Sequence, residues 1–405
     1  MRMRLSRITL CAATLVALSG GDGASTDPIA AVQHDIDSGT IHLNFDDSSG
    51  YLRSVLEALR IPISSQTLVF SKTSAMREYI SPVTPRAIYF TDNAYVALSV
   101  GGPVLEIVTV DPVRGPHFYE LDQSRESQPK FRQESDCLTC HDPAETGIGR
   151  LIMRSHYVDR DGYTLQSKSV ENLIFTITDQ TPFANRWGGW YVTGTHGSQW
   201  HMGNTRLKDG IATIAADPAR ATATLNRTSL ANLQDLQTIL DTRPYLTPHS
   251  DIVALMVLGH QTYIQNLIAA AAHAARSGGA ITSASEALAR GMLFADEVPL
   301  TEPISGTSSF AADFAWRGPR DSEGRSLRDF DLKRRLFRYP LSYLIYSEAF
   351  DALPRTVKSL VYGRLRDALS SNDEAPNSIR MSKIDREAIL GILRETKPDF
   401  AQDAR

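Results

Sequence analysis

Between residues 67 and 121 apolar positions recur in short runs, TLVFS, RAIYFTD, AYVALSV, PVLEIVTVD and HFYEL, divided by Pro, Gly, Asn and Asp. Runs of that length between breakers predict β-strands, and Asp92-Asn93 stands where a hairpin would turn. Upstream, residues 27–60 combine a short helical pattern, a strand over TIHLNF and an amphipathic helix over GYLRSVLEALR. Past residue 150 the pattern is mixed: LIFTITD reads as a strand, and an unusual run, RWGGWYVTGTHGSQWHMGN, extends from Arg186 to Asn204. From about Ser229 the spacing becomes helical, over SLANLQDLQTIL, DIVALMVLGHQTYIQNLIAAAAHAA, the stretch after Leu327 and IDREAILGILRET. The expected class is α+β, with a β-rich N-terminal half and a mostly α-helical C-terminal half. The expected division is an α/β region over 26–130, a region over 131–227 built around a cysteine pair, and a helical region over 228–405, with 131–405 also readable as one integrated domain.

Composition changes that picture little. The chain has 405 residues, 42% hydrophobic and 22% charged, with a net charge of −4. No basic excess is present to neutralise phosphates, so nucleic acid is not an expected partner. The first nineteen residues read as a signal peptide: Arg2, Arg4 and Arg7 precede the apolar run ITLCAATLVAL, and Ala17-Leu18-Ser19 supplies small residues for cleavage. That run is too short for a stable membrane span. Cys11 is no lipid anchor, because the apolar stretch follows it rather than precedes it. The expectation is export, to a periplasm or its equivalent, with no membrane span once the leader is cut. Losing three arginines takes the charge from −4 to −7.

Cleavage leaves two cysteines, Cys137 and Cys140, inside Asp136-Cys137-Leu138-Thr139-Cys140-His141-Asp142. Two lone thiols in an exported chain form no disulfide framework, and C-x-x-C-H is the arrangement of c-type haem attachment. At this spacing the two thiols can each form a thioether with a haem vinyl group, and the adjacent His141 is the expected proximal iron ligand. A structural zinc site would need a second ligand pair. A thioredoxin-like redox pair would follow a buried strand and open a long helix. The upstream segment QSRESQPKFRQESD is instead polar, and Asp142-Pro143 interrupts any long helix.

The distal iron position has several candidates. Met202 and His196 come first, both in the Gly- and Trp-rich run, followed by His201 and by His260 on an apolar helical face; an open position is the alternative. Met153 and His156 are close to the motif and read as packing residues. Trp187, Trp190, Tyr191 and Trp200 could wall a haem or simply fill core. Between Arg317 and Arg338 stand eight basic residues, Arg317, Arg320, Arg325, Arg328, Lys333, Arg334, Arg335 and Arg338, against four acids. They could clamp haem propionates or dock an acidic redox partner, or they could be an ion-paired helix face.

The segments SSQTLVFSKTS (64–74), CLTCH, RWGGWYVTGTHG (186–197), HMGN (201–204), DIVALMVLGHQT (251–262) and GRSLRDFDLKRRLFRYPLSYLIYSEAFDALP (324–354) resemble a bacterial family of exported single-haem cytochrome c domain proteins. The similarity spans nearly the whole mature chain. It implies one haem c per chain in an exported protein and leaves the role open. The expected role is electron transfer with a redox partner protein, since a single c-type haem most often serves that end. The alternative is a haem enzyme with an open distal site, peroxidase-like or acting on another small molecule, in which a histidine such as His196 serves as acid/base.

Overall fold

The computed structural model describes residues 27–126, 128–142, 148–165, 174–206, 231–370 and 381–402; the leader with Cys11 lies outside them. Its N-terminal half is a six-stranded sheet of consecutive antiparallel neighbours: β1 Thr67–Val69, β2 Arg86–Phe90, β3 Ala94–Leu98, β4 Val104–Asp111, β5 Gly115–Asp122 and β6 Phe131–Gln133. The expected hairpin is formed by β2 and β3, with Phe90 opposite Tyr95.

Both faces of the sheet are covered. One packs against α1 (Pro28–Asp37) and α2 (Leu52–Ala58), where Ile29, Val32, Leu52 and Val55 meet Tyr89, Val96, Leu105 and Leu121. Asp27 starts α1 by accepting from the Ile29 N–H (2.9 Å), and it joins the helix to the sheet through the Thr109 and Tyr119 hydroxyls. The other face looks toward α4 (Ile252–Ser277), the long apolar helix; α3 (Leu138–His141) and the paired strands β7 (Arg154–His156) and β8 (Ile174–Thr176) come between in the chain. Three of α4's neighbours are α5 (Ile281–Met292), α6 (Phe310–Trp316) and α8 (Arg355–Ser370), and α7 (Glu348–Asp351), α9 (Lys383–Thr396) and α10 (Pro398–Gln402) complete the helical half among the described residues. By length and composition α4 could cross a membrane, but 83% of its apolar window is buried, as in a core helix.

Side chains hold α4 to the sheet. Gln261 Nε2 donates to the Thr91 carbonyl (2.8 Å) and Gln265 Nε2 to the Asp92 carbonyl (2.5 Å), both in the β2–β3 turn. At the start of α4 the Asp251 carboxylate accepts from the N–H groups of Val253 (2.8 Å) and Ala254 (3.2 Å). Its second oxygen takes the N–H groups of Thr307 (2.9 Å) and Ser308 (2.8 Å).

Three expected elements take another form. TIHLNF is not a strand: the Thr40 and Ile41 N–H groups fold back onto the Asp35 carbonyl, and Asn44 exchanges bonds with the Ser54 hydroxyl on α2. The described part of SLANLQDLQTIL is turns, with Asn232 at φ 54° and its side chain bonded to the His196 N–H and Gly197 carbonyl. After Leu327 the chain stays irregular up to a 3₁₀ turn at Tyr343–Tyr346. There the Asp331 carboxylate takes the backbone N–H groups of Lys333 and Arg334, so a short acidic side chain competes with the helical bonds.

Candidate haem-binding cavity

The cysteine motif follows β6 and makes one helical turn, α3 (Leu138–His141), capped by Cys137. The His141 N–H bonds the Cys137 carbonyl at 3.0 Å, so positions 137 and 141 share one side of the turn. The turn stops at Asp142, whose N–H bonds the Leu138 carbonyl.

His141 is gripped at both ends by Arg150. The Arg150 N–H donates to the His141 carbonyl (2.8 Å), and His141 Nδ1 lies 2.6 Å from the Arg150 carbonyl. A carbonyl can only accept, so Nδ1 carries the proton and Nε2 keeps its lone pair. Burial pushes the imidazole below its ordinary pKa, which favours that neutral form at pH 7. The ring rests 4.7 Å from Phe118. Arg150 is itself positioned by α4, since Asn266 accepts from the Leu151 N–H (2.9 Å) and donates to the Leu151 carbonyl (2.8 Å).

Cys137 and His141 border a cavity holding about 770 Å³ of space, mouth included. Its floor is one face of the sheet. Strand alternation sends Arg86 and Ile88, Tyr95 and Ala97, Glu106 and Val108, and Phe118 and Glu120 to that side. Cross-strand register then sets Ile88, Ala97, Glu106 and Glu120 in one row, with the small Ala97 leaving the hollow. Leu258 and Thr262 of α4, Leu151, Ile152, Met153 and Trp190 close the other sides.

The polar part of this lining has its own pattern. Arg86 Nε lies 2.8 Å from Glu106 Oε2, both side chains largely buried. Glu106 faces Glu120 directly across β4 and β5, a like-charge pair that Arg86 and Arg132 (3.5 Å from Glu120) offset. Burial, with Glu134 adding to it, raises the Glu120 pKa. Burial together with Glu106, Glu120 and Glu134 pushes the Cys137 thiol up to about 11. A redox-active cysteine pair needs a depressed thiol pKa, so the surroundings of Cys137 argue against that chemistry.

These residues fit a covalently held haem. An imidazole with a bare Nε2 and one thiol stand at an apolar slot, and the second thiol, Cys140, is exposed on the same turn. Sequence reading passed over Arg86 and Glu106 and took Met153 for a packing residue. A signal was available for the first two, since each is a charged residue on an otherwise apolar strand face.

The expected distal residues Met202, His196, His201 and His260 do not line this cavity. Met202 is buried with its sulfur 3.7 Å from the Ser155 hydroxyl. His196 has both ring nitrogens engaged, by the Gln199 carbonyl (2.7 Å) and the Asn232 N–H (3.2 Å). His201 packs against His196 and Trp187, and neither of its ring nitrogens finds a partner among the described residues. His260 is a satisfied core histidine, bonded to Asp179 and Ser342 at 2.8 Å each and stacked on Phe294. His156 is buried on β7 (Arg154–His156), which pairs with β8 (Ile174–Thr176).

The tryptophan-rich run divides in the same way. Trp190 lines the cavity, whereas Trp187 packs on Phe183, and Tyr191 packs on Phe70 and donates to the Pro82 carbonyl. The run is a clip. Trp190 bridges to Val69, the Tyr191 N–H bonds the Leu68 carbonyl, and Asn204 closes the loop by bonding both the N–H and the carbonyl of Val192.

Most of the basic segment is spent internally, while Lys333 and Arg334 stay exposed. Arg328 pairs with Asp92 and lies over the rings of Phe314 and Tyr343, Arg325 pairs with Asp321, Arg320 with Asp329, and Arg335 and Arg338 share Asp385. None of its residues lines the cavity. No protein-family model, no curated protein and no solved structure matches this chain.

Proposed function

We propose that this chain is an exported, periplasmic c-type cytochrome that carries one haem on Cys137 and Cys140, takes His141 as proximal iron ligand, and transfers electrons to a partner protein. The observation that carries the reading is the grip of Arg150 on His141: a proton fixed on Nδ1 leaves Nε2 as the free donor beside an apolar cavity that Cys137 also borders. The family resemblance and the leader-like N-terminus support it from the sequence side. When bound, such a haem supplies reversible one-electron exchange. Ile88, Val108, Leu151 and Leu258 exclude water from the site, which disfavours the extra positive charge of the oxidised state and raises the potential. Protein matured with a cytochrome c assembly system should keep its haem through acid–acetone extraction, and Cys137→Ala with Cys140→Ala should lose it. Haem extracted from the wild type would overturn the proposal.

One observation favours a second reading. Arg86 and Glu106 form a buried charge pair inside the cavity, where an acid/base pair could act on a small molecule at an open iron site. A high-spin ferric spectrum that changes on adding peroxide or cyanide would bring that enzyme reading forward.

A further inference from the structure

We infer that Met153 is the sixth iron ligand, on the face of the haem opposite His141; this rests on the haem proposed above. The candidate ligands are the cavity-lining side chains that carry a lone pair. The Tyr95 hydroxyl is held between Gln261 and Gln265, and the Tyr119 hydroxyl by Asp27. The Thr262 hydroxyl donates to the Gly259 carbonyl (3.1 Å). Trp190 Nε1 has only a proton to offer and gives it to the Arg154 carbonyl (2.8 Å). The carboxylates of Glu106 and Glu120 are opposed by Arg86 and Arg132. The thioether of Met153 is what remains: neutral, soft and buried at 2% exposure.

Its place in the chain agrees. Met153 is three residues beyond Arg150, whose carbonyl orients His141, and Asn266 pins Leu151 between them. Three residues of extended chain reach about 10 Å, enough to pass the edge of a planar ring and place groups on both of its faces. The stretch enters β7 without a helical turn, and the Met153 carbonyl is fixed by the Ile177 N–H (2.9 Å). Behind the sulfur, α4 presents Gly259, where an added Cβ would come 3.7 Å from Met153 Sδ and 3.0 Å from Ile177 Cγ2. The sulfur thus sits in ordinary van der Waals range of the α4 backbone, and Ile177 is the neighbour that an added side chain would crowd. Met202 packs more tightly, its methyl lying where a Cβ added at Gly188 would come within 2.8 Å of it.

The test is the near-infrared sulfur-to-iron band of the ferric, haem-loaded protein. Wild type should show it, Met153→Leu should lose it while keeping covalent haem, and Met202→Leu should retain it. The potential of Met153→Leu should fall, because thioether ligation favours the ferrous state. Met153→His is the second variant, expected to be low-spin without the sulfur band. A band that survives Met153→Leu, or a wild type that is high-spin or bis-histidine, overturns the inference and leaves the haem proposal standing. A wild type without covalent haem overturns both.

Discussion

His201 is the least comfortable residue among those described, with both ring nitrogens buried and unpaired between His196 and Trp187. Burial, with a smaller share from His196, pushes its pKa down to about 3, and burial first also takes His156 to about 4. A base whose folded pKa is depressed leaves the native state with fewer protons than the unfolded chain between those values and about 6.5. Stability is therefore full above about pH 6.5 and falls as the pH drops toward 3. His201→Phe should flatten that fall, measured as the urea midpoint against pH; an unchanged acid slope would show that His201 does not carry it. Legibility in the sequence differs sharply between residues. Cys137, Cys140 and His141 stand out because a covalent attachment requires fixed spacing, which survives in one dimension. Met153, Arg86 and Glu106 do not, because their relation to His141 depends on strand register and on where α4 docks. His260 looks like a ligand on its helix, and only the fold brings Asp179 and Ser342, 81 and 82 residues away, to satisfy it.

Elements were legible where local bonding decides them. Strands β1 to β5 and the helices α1, α2, α4 and α9 follow from alternation and helical spacing, because each buries the face that its own pattern presents, whereas β6 lies in a segment that reads as a polar linker and stays largely exposed. TIHLNF failed as a strand for want of a neighbouring strand: its pattern is right, but its bonds go to Asp35 and Ser54. The segment around 232 and the stretch after Leu327 failed as helices where Asp side chains took backbone donors first, Asp235 that of Gln237 and Asp331 those of Lys333 and Arg334. The same chemistry used constructively is visible at Asp251, which starts α4 and gathers the 306–308 loop with one carboxylate. An added Cβ on Gly306 would come within 2.4 Å of that carboxylate, so the loop approaches closely only as glycine. Asp251→Ala removes the cap and strands several donors, and it should cost at least about 2 kcal/mol in chemical denaturation. A loss below about 0.5 kcal/mol would mean that the loop, not the carboxylate, holds the helix start.

At the scale of the molecule, the basic segment acts as internal bracing. Arg317 and Arg328 reach Asp92 at the β2–β3 turn, the same turn that Gln261 and Gln265 grip from α4. The cavity floor is thereby tied to the helical half by charge pairs and amide bonds together. The cavity has walls from distant parts of the chain, and this has a consequence in time. β2 to β5 join by short turns, whereas Gln265 and Asp92 are separated by 173 residues. Local pairing precedes long loop closure, so the sheet should form while the side that becomes the cavity floor still faces water. α4 then arrives as a late cover. Pulse-labelled hydrogen exchange during refolding should protect β3 to β5 before α4; simultaneous protection would show that the two halves form as one. If they form in sequence, the site has an interval in which its floor and cysteines coexist with an open roof. A large planar guest could enter during that interval without any native contact having to break.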